Sequence, residues 1–489
     1  MEEPKEPQYQ PAPQIKSLQK DGMAGPFFDA VEPAAFPKHI VRFRNDRWAK
    51  RIGLNHLSDH AWIQHFGAFQ PLPDNLKEPL ALRYHGHQFR HYNPDIGDGR
   101  GFLFAQLRDD QNRLLDLGTK GSGQTPYSRS GDGRLTLKGS VREILATEML
   151  EALGVYTSKT FSVIETGESL HRDDEPSPTR SAVLVRLGHS HIRFGAFQRL
   201  AQEGNTNAIK KLIDYCVDAF DPDLTDHSES DKAIAFFDRV VSRTARLAAQ
   251  WTMAGFVHGV LNTDNMNVTG ESFDYGPWRF LPHVDFGFTA AYFDQTGLYA
   301  FGRQPEAAAW NLSRFGGTLS LIAPEERLNQ SLGLFHDRFL RKLATALFRR
   351  LGCIDPEIDN HQSTAGAELA NQILRWLSLS RIPFEQFFFD WFGGPMAEER
   401  AMARDEAYKQ DNFKEIKQQI CDLKPLELPS GAQDYLATDG PETILIDEVE
   451  SIWASIATND NWQPLEQKIR AIREMGQAYD IYAEWSVDG

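Results

Sequence analysis

Cysteine is scarce in this chain. Cys216, Cys353 and Cys421 stand alone in 489 residues, in no C-x-x-C arrangement. That excludes a disulfide framework and a cysteine-based zinc site, and it predicts free thiols. Long apolar runs are also missing: none approaches the roughly 20 residues of a bilayer span. Met1-Glu2-Glu3-Pro4-Lys5-Glu6-Pro7 lacks the charged and apolar regions of a signal peptide. The expectation is a soluble, cytoplasmic protein without membrane contact. Positive charge is in deficit as well. A formal net charge of −16 argues against nucleic acid or anionic lipid as a partner, so a local Lys/Arg cluster should serve something small. His85-Gly86-His87 with His91 has metal-like spacing, and on a strand His85 and His87 would share a face. No carboxylate or cysteine set completes it, which favours histidines that support structure or a nucleotide site.

What is present is enough for real cores: 41% of the residues are hydrophobic, and the length suits two or three domains or lobes. The segment to about residue 25 is rich in Pro, Gln and Glu and predicts an arm without its own core. From Asp231 to Gly255, the residues Phe236, Phe237, Val240, Val241, Leu247, Ala248 and Trp251 recur at three- and four-residue spacing. This is the pattern of a long helix with one buried face. After about residue 395 the chain becomes strongly charged and then helical in pattern.

The long helix delivers His258-Gly259-Val260-Leu261-Asn262-Thr263-Asp264-Asn265. In the kinase signature H-R-D-x-x-x-x-N, the Asp two places after His accepts the substrate proton and the Asn seven places after it holds a metal. Here Asn265 is in the metal position, but Val260 occupies the place of the base. Valine cannot accept a proton, and a carboxylate reappears at Asp264. Met266 to Val268, the turn Thr269-Gly270 and Ser272-Phe273 then predict a hairpin ending at Asp274-Tyr275-Gly276. Asp274 is the favoured second metal ligand. Asp285-Phe286-Gly287 spells the literal kinase triplet, and Asp285 stays open as the alternative.

Upstream lie the parts that a nucleotide would need. Gly97-Asp98-Gly99-Arg100-Gly101 is followed by two strand-like runs, the second ending at Lys120. Glycines let backbone N–H groups approach phosphate, and a lysine adds a point charge. A second loop runs from Gly121 through Gly131-Asp132-Gly133-Arg134, and an amphipathic helix follows, marked by Val141, Ile144, Leu145 and Met149. Glu143 on that helix is the candidate for orienting Lys120. Arg186 sits inside the apolar run Ala182 to Leu187 and needs an anionic partner such as phosphate, with Arg193 joining from the loop beyond.

These segments, with Tyr84 to Phe89, Ile192 to Gly195, and Gln304-Pro305 through Trp310-Asn311-Leu312, resemble the selenoprotein O family, also called YdiU, of kinase-like protein adenylyltransferases. The resemblance covers roughly residues 75–320. It implies an α+β, bilobal protein-kinase-like fold. An amino-terminal arm and lead-in would span 1–75, an N-lobe 76–200, a helical C-lobe 201–395 and a helical carboxy-terminal extension 396–489. It further implies ATP bound in inverted orientation, with AMP passing to a Ser, Thr or Tyr hydroxyl of a protein and pyrophosphate leaving. By motif match, Gly97, Gly99, Arg100, Lys120, Asp132, Gly133, Arg186, Arg193 and Asp274 would contact nucleotide. Asn265 and Asp274 would hold Mg²⁺, with Mn²⁺ as the alternative ion, and Asp264 would be the general base. The sequence departs from the family at Arg90 and the added residues His91 to Asp95, and in its carboxy-terminal region. The family's redox cysteine near the carboxy terminus has no counterpart beyond Cys421. Two rival readings are ordinary phosphoryl transfer and a non-catalytic nucleotide-binding module.

Overall fold

A computed structural model of the chain describes residues 7–19, 25–173, 175–356 and 364–481. Its centre is a nine-stranded sheet in which every strand pair is antiparallel. The strands are β1 (Gln10–Pro11), β2 (Phe28–Ala30), β3 (Ile40–Arg44), β4 (Leu80–Leu82), β7 (Leu103–Arg108), β8 (Leu114–Lys120), β9 (Leu135–Thr136), β10 (Lys159–Leu170) and β11 (Thr179–Gly188). The order is β2-β4-β7-β8-β11-β10-β3, with β1 added to β7 and β9 to β11. A small hairpin, β5 (Gly86–Gln88) with β6 (His91–Asn93), stands apart, as does the pair β12 (Phe256–Val257) with β13 (Arg279–Phe280).

Strands from the first 75 residues thus form both ends of the sheet. The early arm has no core of its own, but Ile15 and Leu18 are buried in the core of the sheet and helices. Apolar burial of this size stabilises by roughly 1.5–3 kcal/mol per side chain.

Two short helices, α1 (Asp46–Arg51) and α2 (Asp59–Phe66), cover one region of the sheet. Trp48, Trp62 and Phe66 pack there with Phe104, Phe161 and Val185. The helix α3 (Leu137–Ala152) starts on a Thr136 side-chain cap and packs on β10 and β11. Then come α4 (Phe194–Gln202), α5 (Thr206–Phe220) and α6 (Glu229–Met253). The last realises the expected long helix, capped by the Ser228 side chain and burying Phe236, Phe237, Val240, Val241, Leu247, Ala248 and Trp251. Beyond it lie α7 (Gln304–Leu319), α8 (Glu325–Gly333), α9 (Phe335–Arg350), α10 (Ala365–Ser380), α11 (Phe384–Trp391), α12 (Glu398–Arg404), α13 (Lys414–Cys421) and α14 (Ala432–Leu436).

The last two helices, α15 (Ile446–Asn459) and α16 (Gln463–Tyr479), return to the sheet region. Arg473 on α16 pairs with buried Glu148 of α3 at 2.6 Å. Asp460, between the helices, pairs with Arg42 of β3 and Arg180 of β11. The charged tail that is unreadable in sequence therefore braces the helix that carries Glu143.

Cys216 and Cys353 are buried and all three cysteines are free. Burial pushes the Cys353 thiol up to about 12 and the Cys421 thiol up to about 11, which suppresses the reactive thiolate. The thermal midpoint should therefore be the same with and without dithiothreitol. A reductant-dependent shift of several degrees would contradict that. Among the described residues, no helix is long and apolar enough to cross a membrane.

Candidate active site

Antiparallel register places the cations. Arg186 of β11 lies opposite Gly118 of β8, and Lys120 is two residues further along β8, so the two side chains share a face. Gly118 is required there, because a Cβ on it would stand 1.8 Å from His191 Nε2. Lys120 Nζ meets Glu143 Oε2 of α3 at 2.6 Å, with both side chains at least nine-tenths buried.

Arg186, Lys120 and, from the loop beyond β11, Arg193 converge on Asp274. Its Oδ1 accepts from Arg186 Nη1 at 2.5 Å and its Oδ2 from Arg193 Nη1 at 2.5 Å. Lys120 Nζ lies 3.8 Å from Oδ1. Burial pushes the Asp274 carboxyl up, but Arg186, Arg193 and Lys120 outweigh it and hold the group well below the usual carboxylate range. Both guanidinium groups also lie over the Phe273 ring, at 5.1 and 4.8 Å. Lys120, Arg186 and Arg193 thus gather on one carboxylate, with Glu143 and Asp98 as further counter-ions, and a polyphosphate could take up the donors they present.

Arg193 Nη1 also donates to the Asp264 backbone carbonyl at 2.7 Å, tying the loop of Asp264 to Asp274. The Asp264 Oδ1 and Asn265 Oδ1 atoms are both buried without a hydrogen-bond partner. Orphaned oxygens of this kind cost about 1–3 kcal/mol each and mark a place for an ion or a reacting group. Asn265 Oδ1 and the Asp274 carboxylate are hard oxygen donors, of the kind that fits Mg²⁺ or Mn²⁺, and the Asp264 oxygen is left free beside them. Burial pushes the Asp264 carboxyl up to about 6.

The two glycine loops pack on each other at the rim. A Cβ on Gly97 would meet the Tyr127 ring at 2.4 Å, and one on Gly99 would meet the Tyr127 carbonyl oxygen at 2.8 Å. Gly133 has φ +68° and lies against the Gly123 backbone. Asp132 pairs with Arg172 at 2.9 Å, and the Arg100 side chain is exposed. Arg100, Asp132 and Gly133 therefore stand outside the Asp274 cluster, on loops beside it. Asp285 is apart too: it is exposed, and its Oδ1 accepts from Gly287 N at 2.9 Å.

The hairpin expected between Asn265 and Asp274 does not form. Asn267 bridges to Arg193 and Ser272 bridges to Thr157, so the two halves pair with distant segments instead of with each other. The Thr269-Gly270 turn is present, with Asn267 Oδ1 accepting from Thr269 N and Glu271 N. Asp274 itself has φ +60°, a strained backbone that aims its carboxylate into the cluster. His85 and His87 both pack on Tyr92. His85 Nδ1 is 2.7 Å from the Tyr92 hydroxyl, and His87 Nδ1 is 2.8 Å from Gln198 Nε2.

Sequence reasoning missed Asp98 and Asn262. Asp98 Oδ2 accepts from Leu82 N at 3.0 Å, and its Oδ1 lies 3.5 Å from Arg193 Nη2. It thereby pins the first glycine loop and helps aim Arg193. A carboxylate between two glycines was the available signal. Asn262 Oδ1 accepts from both Phe89 N and Tyr299 Oη, contacts that no local pattern announces.

The family model described as "Protein adenylyltransferase SelO" matches residues 9–473, well beyond the span of the matching motifs. A protein of Synechocystis sp. named protein nucleotidyltransferase YdiU is 42% identical over 464 residues, covering 93% of this chain and 96% of that protein. The protein of the same name from Trichormus variabilis is 40% identical over 483 residues, with 96% of each chain covered. That from Vibrio cholerae is 38% identical over 332 residues, covering 66% of each.

Proposed function

The chain belongs to the SelO family of protein adenylyltransferases, and from that premise we propose that it transfers AMP from ATP to Ser, Thr or Tyr hydroxyls of other proteins. ATP is held inverted, so that its α-phosphate lies at the Asp274 cluster. The observation that carries this reading is the pairing of Val260 at the kinase base position with a buried, partnerless Asp264 Oδ1 beside Asn265. Proton-accepting capacity has moved four residues along the loop.

The acceptor oxygen attacks the α-phosphorus, the bond to the α–β bridging oxygen breaks, and pyrophosphate departs. The acceptor proton passes to the Asp264 carboxylate, whose raised affinity for protons suits a base working near neutrality. Lys120, Arg186 and Arg193 balance phosphate charge, Glu143 keeps Lys120 extended, and the two glycine loops with Arg100, Asp132 and Gly133 contact the remainder of the nucleotide. Asp274 and Asn265 would hold Mg²⁺ or Mn²⁺, which when bound polarises phosphate oxygens, and the Asp264 carboxylate stays free to take the proton.

ATP labelled separately on the α- and γ-phosphates tests the proposal. Label from the α-position on protein is the expected result; γ-label would mean phosphoryl transfer, and no label a binding module. Lys120→Ala should lower transfer by about 10² to 10³. Glu143→Gln should fall in the same direction by less, since Lys120 keeps its charge and loses only its orientation. Equal activity of Lys120→Ala and wild type would remove Lys120 from the phosphate contacts.

A further inference from the structure

A transferase acting on proteins needs a surface for the acceptor as well as a cradle for the nucleotide. Three large hydrophobic side chains lie exposed within residues 286–293: Phe286 at 41%, Phe293 at 47% and Tyr292 at 84%. The loop that carries them is held in place. Gly302 N donates to the Phe286 carbonyl and Phe301 N to that of Phe288, each at 2.9 Å. Buried Asp294 accepts from Leu298 N and Tyr299 N at 2.9 and 2.8 Å. Aromatic rings presented to water by an ordered loop mark a protein-binding surface more than a frayed segment.

Tyr292 packs on Phe293 at 5.1 Å, and through Phe293 this end of the surface is continuous with the catalytic loop. The Phe293 ring packs on Phe89 at 5.8 Å, and Phe89 on Tyr299 at 5.0 Å. Phe89 N and Tyr299 Oη both end on Asn262 Oδ1, at 3.0 and 2.7 Å, two residues before Asp264. Phe89 and Arg90 form the two-residue tip of the β5–β6 hairpin with φ +49° and +66°, a turn that favours Asn-Gly. The strain is held by the Phe89 contacts and by Arg90 pairing with Glu306 at 2.9 Å. Arg303 pairs with the same Glu306, which ties the hairpin tip to α7.

We propose that Phe286, Tyr292 and Phe293 form the docking ledge for the acceptor protein, which lays an extended segment across them with an aromatic or aliphatic side chain close to the target hydroxyl. The ledge deepens the adenylyltransferase reading above and rests on it. Its apolar rings supply affinity next to the base and favour apolar over charged flanking residues.

Peptides with one serine flanked by phenylalanine and leucine, by glycine, or by lysine test the ledge with α-labelled ATP, using wild type, Tyr292→Ala/Phe293→Ala and Tyr292→Phe. The expected result is that wild type prefers the apolar-flanked peptide. The double variant should raise KM for that peptide by about tenfold or more while calorimetry shows unchanged binding of Mg²⁺-ATP, and Tyr292→Phe should behave as wild type. Labelling of all peptides alike by wild type and double variant overturns the ledge and leaves AMP transfer standing. A drop in oligomeric state of the double variant with unchanged peptide KM assigns the ledge to a second copy of this chain and also overturns it. Absence of α-label on any peptide or protein with wild type overturns the adenylyltransferase reading, and the ledge with it.

Discussion

Asp274→Asn is expected to cut AMP transfer by about 10² to 10³ while ATP binding survives without metal. The asparagine keeps the shape of the side chain and one acceptor oxygen but removes the charge on which Arg186, Arg193 and Lys120 converge. In the free variant Arg186 loses its charged partner and the three cations keep only Glu143 and Asp98 as counter-ions, and breaking one partner of such a network costs about 3–5 kcal/mol. A triphosphate restores that charge, so metal-free ATP should raise the thermal midpoint of Asp274→Asn more than that of wild type. Added Mg²⁺ should then contribute little if Asp274 holds the metal as proposed. Asp274 is held below the usual range, so wild type has the full contribution at neutral pH and loses it only as pH falls toward the depressed folded-state value. The control is Asp285→Asn, which should stay within about twofold of wild type because its carboxylate is exposed and caps Gly287 N. Normal transfer by Asp274→Asn with a dead Asp285→Asn would reverse the ligand assignment.

The parts legible in the sequence are those set by local periodicity. The long helix before His258 shows its buried face in the spacing of Phe236, Val240 and Trp251, and the helix bearing Glu143 shows it in Val141, Ile144 and Leu145. A lysine at a strand end and a glutamate on the next helix are then natural neighbours, and Lys120 Nζ lies 2.6 Å from Glu143 Oε2. Arg186 announces its need for an anion by sitting in an apolar run, but the sequence could not say that Asp274 provides one in the free protein. Non-local pairing was the main loss. Residues 266–273 have hairpin chemistry, yet Asn267 and Ser272 find partners in Arg193 and Thr157, more than 70 residues away in the sequence. The same holds for Asn262, whose side chain joins the β5–β6 hairpin to Tyr299, and for Glu148, which receives Arg473 from the far end of the chain. Long-range hydrogen bonds carry no periodic signature.

Asp264→Ala separates binding from chemistry. Its Oδ1 is buried and partnerless, while its backbone carbonyl alone carries the bond to Arg193. Truncation therefore leaves the loop tied to Asp274 and relieves a desolvated carboxylate. Mg²⁺-ATP affinity should change by a few-fold at most, whereas AMP transfer should fall by about 10² to 10⁴, the range for loss of a general base. In wild type the carboxyl is raised by burial to about 6. Below that pH it is protonated and cannot accept, so log kcat should drop with unit slope as pH decreases through about 6 and level off above it. Asn265→Ala should differ by weakening metal-dependent binding and transfer together. Val260→Asp, which restores a carboxylate at the kinase position, should not create γ-phosphate transfer, because an inverted nucleotide keeps that phosphate away from the acceptor. Robust AMP transfer by Asp264→Ala would remove it as the base, and efficient γ-transfer by Val260→Asp would remove the inverted nucleotide. If both variants behave as expected, the proton acceptor and the direction of ATP are fixed by independent measurements on one loop.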